Sequence, residues 1–202
     1  MEAAATLAGR TFYSRTMVAT LAVIALAATF TCFGVLVAVH LRPTGYDPLR
    51  DAVSDYGVGP SLPYYRAQTA AMALAAIVIA VALAKAVDPA PKRAIVLLCL
   101  FAAARVAIPF FPTDLDRTRR TGTGAIHVLL AAVAFGAVAW AAATLPGKVH
   151  WTGLAALGWI VVVTAIATAF SLRARVPYFG LVERSFYAAT LAWLAFVAVS
   201  LI

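Results

Sequence analysis

Ionisable residues are sparse in this 202-residue chain, and they gather in short stretches beside long apolar runs. "VSDYG" at 53–57 supplies Ser54 and Asp55. "FPTDLDRTRRTGTGAIH" at 111–127 supplies Asp114, Asp116, three arginines, two glycines and His127. "GLVER" at 180–184 supplies Glu183 and Arg184, and Arg105 stands inside the apolar "FAAARVAIPFF". Carboxylates and histidine are the groups of acid–base catalysis near neutral pH. Arginine holds phosphate or carboxylate through its planar fork of donors. The residue types therefore nominate His127, Asp114, Asp55 and Glu183 for proton transfer or ion binding, and Arg105, Arg184 and Ser54 for holding a substrate. Each also has a plainer role. Ser54 and Asp55 suit a turn, Glu183 suits the first turn of a helix, and Arg105 can snorkel to an interface. His127 can be a satisfied interface residue. No G-x-S-x-G elbow and no H-E-x-x-H pair is present, so no triad is named and no metal site is expected.

The elements that must position these groups are membrane spans. The chain is 64% hydrophobic and only 12% charged, against about 25% charged in soluble domains. Its mean hydropathy is +0.94. A span needs about 20 predominantly apolar residues, and runs near 16–39, 67–87, 94–110, 124–145, 152–172 and 181–202 qualify or nearly do. The expectation is an all-α integral membrane bundle of six transmembrane helices, one domain over 1–202, multi-pass in the cell membrane. The first run outlasts the 7–15 apolar residues of a signal peptide, so it reads as an uncleaved span.

Six spans leave the first, third and fifth connections on one side, and that side carries nearly all the chemistry. It holds His40, Asp47, Asp51, Ser54, Asp55, Asp114, Asp116 and Glu183, with His127 at the membrane edge. The other side has the compact turns "DPAPKR" and "LPGKVH", the latter ending in His150. Arg105, near the furnished end of its span, is expected to pair with Asp55, Asp114 or Glu183 or to hold an anionic substrate. Tyr187, four residues beyond Glu183, shares its helical face, as Thr123 shares that of His127. Gly122 and Gly124 leave helix N-terminal amides open to an anion. Tyr56, Tyr64 and Tyr65 read as headgroup anchors, and Cys32 and Cys99 as small buried apolar residues. Positive charge, +8 net, suits anionic headgroups; with no basic soluble module, nucleic acid is not an expected partner. The expected partners are membrane lipids. The sequence indicates no cofactor, oligomeric state or membrane orientation.

The ordered set of "SDYG" after the first span, "FPTD" followed by "TGTGAIH", and "GLVER" opening the last span resembles a prokaryotic six-span membrane family catalogued as domain of unknown function 998. The resemblance covers nearly the whole chain and implies a six-span bundle of this length, with no established reaction. A weaker likeness is to intramembrane hydrolases that set a serine, an aspartate and several histidines around zinc. Here only His40 and His127 lie on the furnished side, and the last span lacks a histidine pair.

Three functions compete on this reading. One is the binding or modification of a lipid or prenyl-type substrate at the polar face. Another is a structural or accessory subunit that uses the same face for docking. The last, a small-molecule transporter, is the least favoured, because the spans carry nothing ionisable at mid-depth.

Overall fold

The computed structural model describes residues 2–115, 120–149 and 151–202, with side chains from residue 15 onward; Asp116, Arg117, Arg119 and His150 lie outside the described residues. Six α-helices account for most of the chain: α1 (Glu2–His40), α2 (Leu62–Ala86), α3 (Lys92–Ala107), α4 (Gly122–Thr144), α5 (Leu154–Ala174) and α6 (Phe179–Val199). All six are long and apolar enough to cross a membrane. Among the described residues there is no strand.

Local chemistry sets the ends of these helices. α2 begins at Leu62, earlier than the expected 67, with Pro63 in its first turn. Proline has no N–H to leave unsatisfied there, so it starts a helix rather than breaking it. Thr121 caps α4, its hydroxyl accepting from the Gly124 amide at 3.0 Å. α5 ends where Arg175 takes a left-handed conformation, φ 54°, and the Val176 amide turns back to the Ser171 carbonyl at 3.0 Å.

The helices form a ring in chain order, with α1 closing against α6, and α2 also reaching α6 across the interior. α2 and α6 are the most buried spans and α5 the least. Hydrocarbon tails are as apolar as leucine, so the bundle is held by close van der Waals packing of small residues. Ala22, Ala25, Cys32, Ala75, Ala76, Ala82 and Ala141 are fully buried in that packing. α4 and α5 approach backbone to backbone at one point: a Cβ on Gly158 would run into the Ala142 carbonyl. Phe135 of α4 packs on Phe186 of α6 with ring centroids 4.2 Å apart.

The long first connection folds back over the furnished end of the ring. Its Leu49 carbonyl accepts from the Leu181 amide of α6 at 3.0 Å. Gly180 permits this approach, since a side chain there would meet the carbonyls of Pro48 and Asp51. A 3-10 turn at Val53–Gly57 follows, and Gly57 lies flat against the Tyr65 ring, which an added Cβ would meet at 2.9 Å.

Two expectations are corrected by this packing. Tyr56 and Tyr65 are not headgroup anchors: they are 1% and 2% exposed, because the connection seals them against the helices. Cys32 is buried as expected, but Cys99 is exposed on the outer face of α3.

The α4–α5 contact makes a prediction. Gly158→Ala should lower the melting temperature of the purified protein, the loss amounting to about 1–3 kcal/mol as in other overpacked interiors. Gly136→Ala, which points into open space, should leave it unchanged. Equal melting of both variants would disprove the backbone contact.

Candidate functional site

Two polar groups lie beneath the first connection, joined by Glu183. The outer one is built on Arg184. Its Nε donates to His40 Nε2 at 2.6 Å, Nη1 to the carbonyls of Asp51 (2.7 Å) and Gly180 (3.0 Å), and Nη2 to the Tyr56 hydroxyl at 3.3 Å. Arg184 Nε can only donate, so His40 Nε2 must accept; His40 therefore carries its proton on Nδ1, which donates to the Leu36 carbonyl. Tyr56 packs edge-on to both His40 and Tyr46. Tyr46, outside the spans, has its hydroxyl pushed above the ordinary tyrosine range, first by partial burial and then by the nearby Asp55 and Asp51 carboxylates.

Asp55 and Glu183 order the 3-10 turn. Asp55 Oδ2 accepts from the Ala52 amide at 2.9 Å, and Glu183 Oε2 accepts from the Val53 amide at 2.6 Å. Glu183 is buried and within electrostatic reach of Arg184, Asp55 and Arg105. Ser54 is half-buried in the same turn, and its hydroxyl makes no hydrogen bond among the described residues.

The inner group is built on Arg105, which is 1% exposed. Nη1 donates to the Tyr187 hydroxyl at 2.9 Å and Nη2 to Gln68 Oε1 at 3.1 Å, while the guanidinium lies over the Tyr187 ring at 5.2 Å. The Cys32 thiol, 3.8 Å from the same Gln68 oxygen, completes the floor. The expected carboxylate partner is not there: among the described residues the salt bridge at 4 Å or less joins only Arg50 and Asp47. Glu183 is instead turned to the Val53 amide. Among the described residues, Arg105 Nε and Gln68 Nε2 have no hydrogen-bond partner, nor do the buried Thr190 hydroxyl and Trp193 indole N–H deeper along α6.

His127 stands beside this group, stacked on Tyr65 with centroids 6.5 Å apart. Its Nδ1 donates to the Phe111 carbonyl at 2.6 Å, so in the neutral ring Nε2 is the acceptor. Arg105 and Asp114 both lie within its electrostatic reach. Thr123 shares little with His127: it is exposed, and the buried neighbour one turn earlier is Gly124. The anion at the α4 N-terminus is the chain's own Asp114. Its carboxylate accepts from the Thr121 amide (3.0 Å) and hydroxyl (2.7 Å) and fills the space above Gly124.

The structure thus brings Glu183, Arg184 and Asp55 together with His40, and Arg105 within reach of Glu183 and His127. Asp114 sits apart at the head of α4, linked to the rest through His127. Gln68 was not singled out by sequence, and Tyr65 was read only as a headgroup anchor. The available signal was spacing: Tyr65, Gln68 and Met72 share one face of α2, and Gln68 is the amide side chain in that span. Among the described residues, no cluster of three or more His, Cys, Asp or Glu is arranged to hold a metal ion.

A family model described as "Protein of unknown function (DUF998)" matches residues 23–200. No curated protein and no solved structure matches the chain.

The Asp114 geometry predicts a coupled pair. Gly124→Ala should push a methyl into the Asp114 carboxylate, and Asp114→Ala should remove a cap bonded to Thr121, costing about 1 kcal/mol. In the double variant the clash vanishes, so the two losses should be less than additive by about 0.5–3 kcal/mol. Simple additivity in thermal or denaturant unfolding would place the carboxylate elsewhere.

Proposed function

This chain belongs to the DUF998 family of membrane proteins, and we propose that it binds the anionic head of a lipid or prenyl-type molecule inside the bundle, at the furnished face of the cell membrane. The observation that carries the reading is Arg105: a fully buried guanidinium with no carboxylate of the described residues within salt-bridge distance. Its unpartnered Nε, Gln68 Nε2 and the Trp193 N–H are all donors, and the Thr190 hydroxyl can donate too. An unmade buried hydrogen bond costs about 1–3 kcal/mol, and a lone buried charge costs several more. A phosphate or carboxylate answers both needs, since it is acceptor-rich and negative. A docking subunit or a transporter does not require donors stranded in the interior.

Roles follow from geometry. Arg105 and Gln68 hold the anion, with Tyr187 fixing the guanidinium. His127, its Nδ1 committed to Phe111, offers Nε2 for proton transfer, and Glu183, within electrostatic reach of Arg105, is the carboxylate that exchanges protons with the site. Asp55, Asp114 and Arg184 act as positioning residues, and Ser54 lies in the 3-10 turn that Glu183 and Asp55 order.

The test is native mass spectrometry with melting curves. The purified protein should carry an anionic amphiphile that Arg105→Met loses. Stripped of ligand, Arg105→Met should melt at or above the parent, because an apolar residue replaces an uncompensated buried charge. A parent that carries no anion, together with a less stable Arg105→Met, would make Arg105 purely structural. For a turned-over substrate, His127→Ala should keep binding and lose about 10²–10⁴-fold in rate; an unchanged rate would remove its proton-transfer role.

A further inference from the structure

The outer surface between α2 and α3 holds an open apolar groove of about 610 Å³, separate from the Arg105 cluster and facing away from it. Small side chains make it: Ala70 and Ala73 on α2, Ala102, Ala103 and Ala107 on α3. Leu74, Ile77 and Val106 form its flanks, and the exposed Cys99 lies at its deep end. At the interface end stands Arg66, one turn before Ala70 on the same face of α2. Its guanidinium lies over the exposed Phe110 ring at 5.9 Å, and no carboxylate of the described residues lies within 4 Å of it.

Three features point to one occupant. From Arg66 to Ile77 the helix rises about 16 Å at ~1.5 Å per residue, which matches one leaflet, half of a hydrocarbon core about 30 Å thick. The walls offer an acyl chain only apolar contact. Among the described residues, the charged group placed beside the groove's end is the Arg66 cation, and at headgroup level arginine interacts with anionic lipid. We propose that this groove seats one acyl chain of an anionic membrane glycerophospholipid, with its phosphate head on Arg66 and Phe110. Phe110 holds the guanidinium flat under the headgroup while the aromatic ring covers the top of the chain.

The experiment is native mass spectrometry of the full chain offered equal amounts of phosphatidylglycerol and phosphatidylcholine with identical oleoyl chains. The parent should retain the anionic lipid in preference by about fivefold, the worth of one arginine at a charged surface. Made in the Arg105→Met background, which removes the buried anion site, Arg66→Gln should bring that ratio to about one, and Ala103→Phe, which fills the groove, should cut retention of both lipids. Ala73→Leu makes the same test from α2, and melting curves verify that each variant is folded. Arg105→Met should leave the preference intact, which separates this surface site from the buried one. A preference unaltered in Arg66→Gln, or retention unaltered in both groove-filling variants, overturns the proposal. So does a dimer that Ala103→Phe disperses, because a second copy would then be the occupant.

Discussion

The guanidinium of Arg184 fastens the first connection to the head of α6, and the polar interior depends on that fastening. Its four hydrogen bonds reach the connection's backbone at Asp51, the ring of Tyr56, the end of α1 at His40 and its own helix at Gly180. In a bilayer no water is available to satisfy stray polar groups, so a loop can lie against the membrane-facing end of a bundle only if protein groups bind it. Arginine suits this because its five donors are held in a rigid plane and it stays charged. The arrangement also dictates the state of His40, whose Nε2 must remain an acceptor while Arg184 donates to it.

With the connection held down, the Val53–Gly57 turn becomes a roof, and Glu183 is drawn to its first amide. That leaves Arg105, among the described residues, without the carboxylate at salt-bridge distance that an arginine in a span would ordinarily take. Tyr187 and Gln68 partly compensate through neutral hydrogen bonds and the ring face. The polar groups thus divide into two kinds. Asp55, Asp114 and Arg184 have their hydrogen-bonding capacity spent on turns and helix ends. Arg105, Gln68, Thr190 and Trp193 keep buried donors unspent among the described residues. Buried donors of this kind are costly to a fold that has no use for them, and that asymmetry is the ground of the proposed anion site.

Much of the architecture was legible because it rests on one-dimensional facts. Span count, helix class and the side that carries the ionisable residues follow from apolar run length and from the alternation of connections. Span edges shifted where proline chemistry ruled, as at Pro63, since a proline in a first turn and a proline in a loop look alike in sequence. Tyr56 and Tyr65 were misplaced for a different reason. Tyrosine is amphipathic, and only the return of the connection over the bundle decides whether its ring faces headgroups or helices.

The sequence by itself determined that this chain crosses a membrane as six helices, and which few residues bring charge to one end, because bilayer thickness and the cost of buried charge act on local stretches. Only the tertiary structure decided who partners whom. Glu183 and Arg184 are adjacent in sequence, yet one binds the Val53 amide and the other the Asp51 carbonyl, while Arg105 bonds to Gln68 and Tyr187 on two other helices. Those pairings bridge segments far apart in the chain, and hydrogen-bond geometry over about 3 Å is set by how helices rotate against one another. No local pattern encodes that rotation.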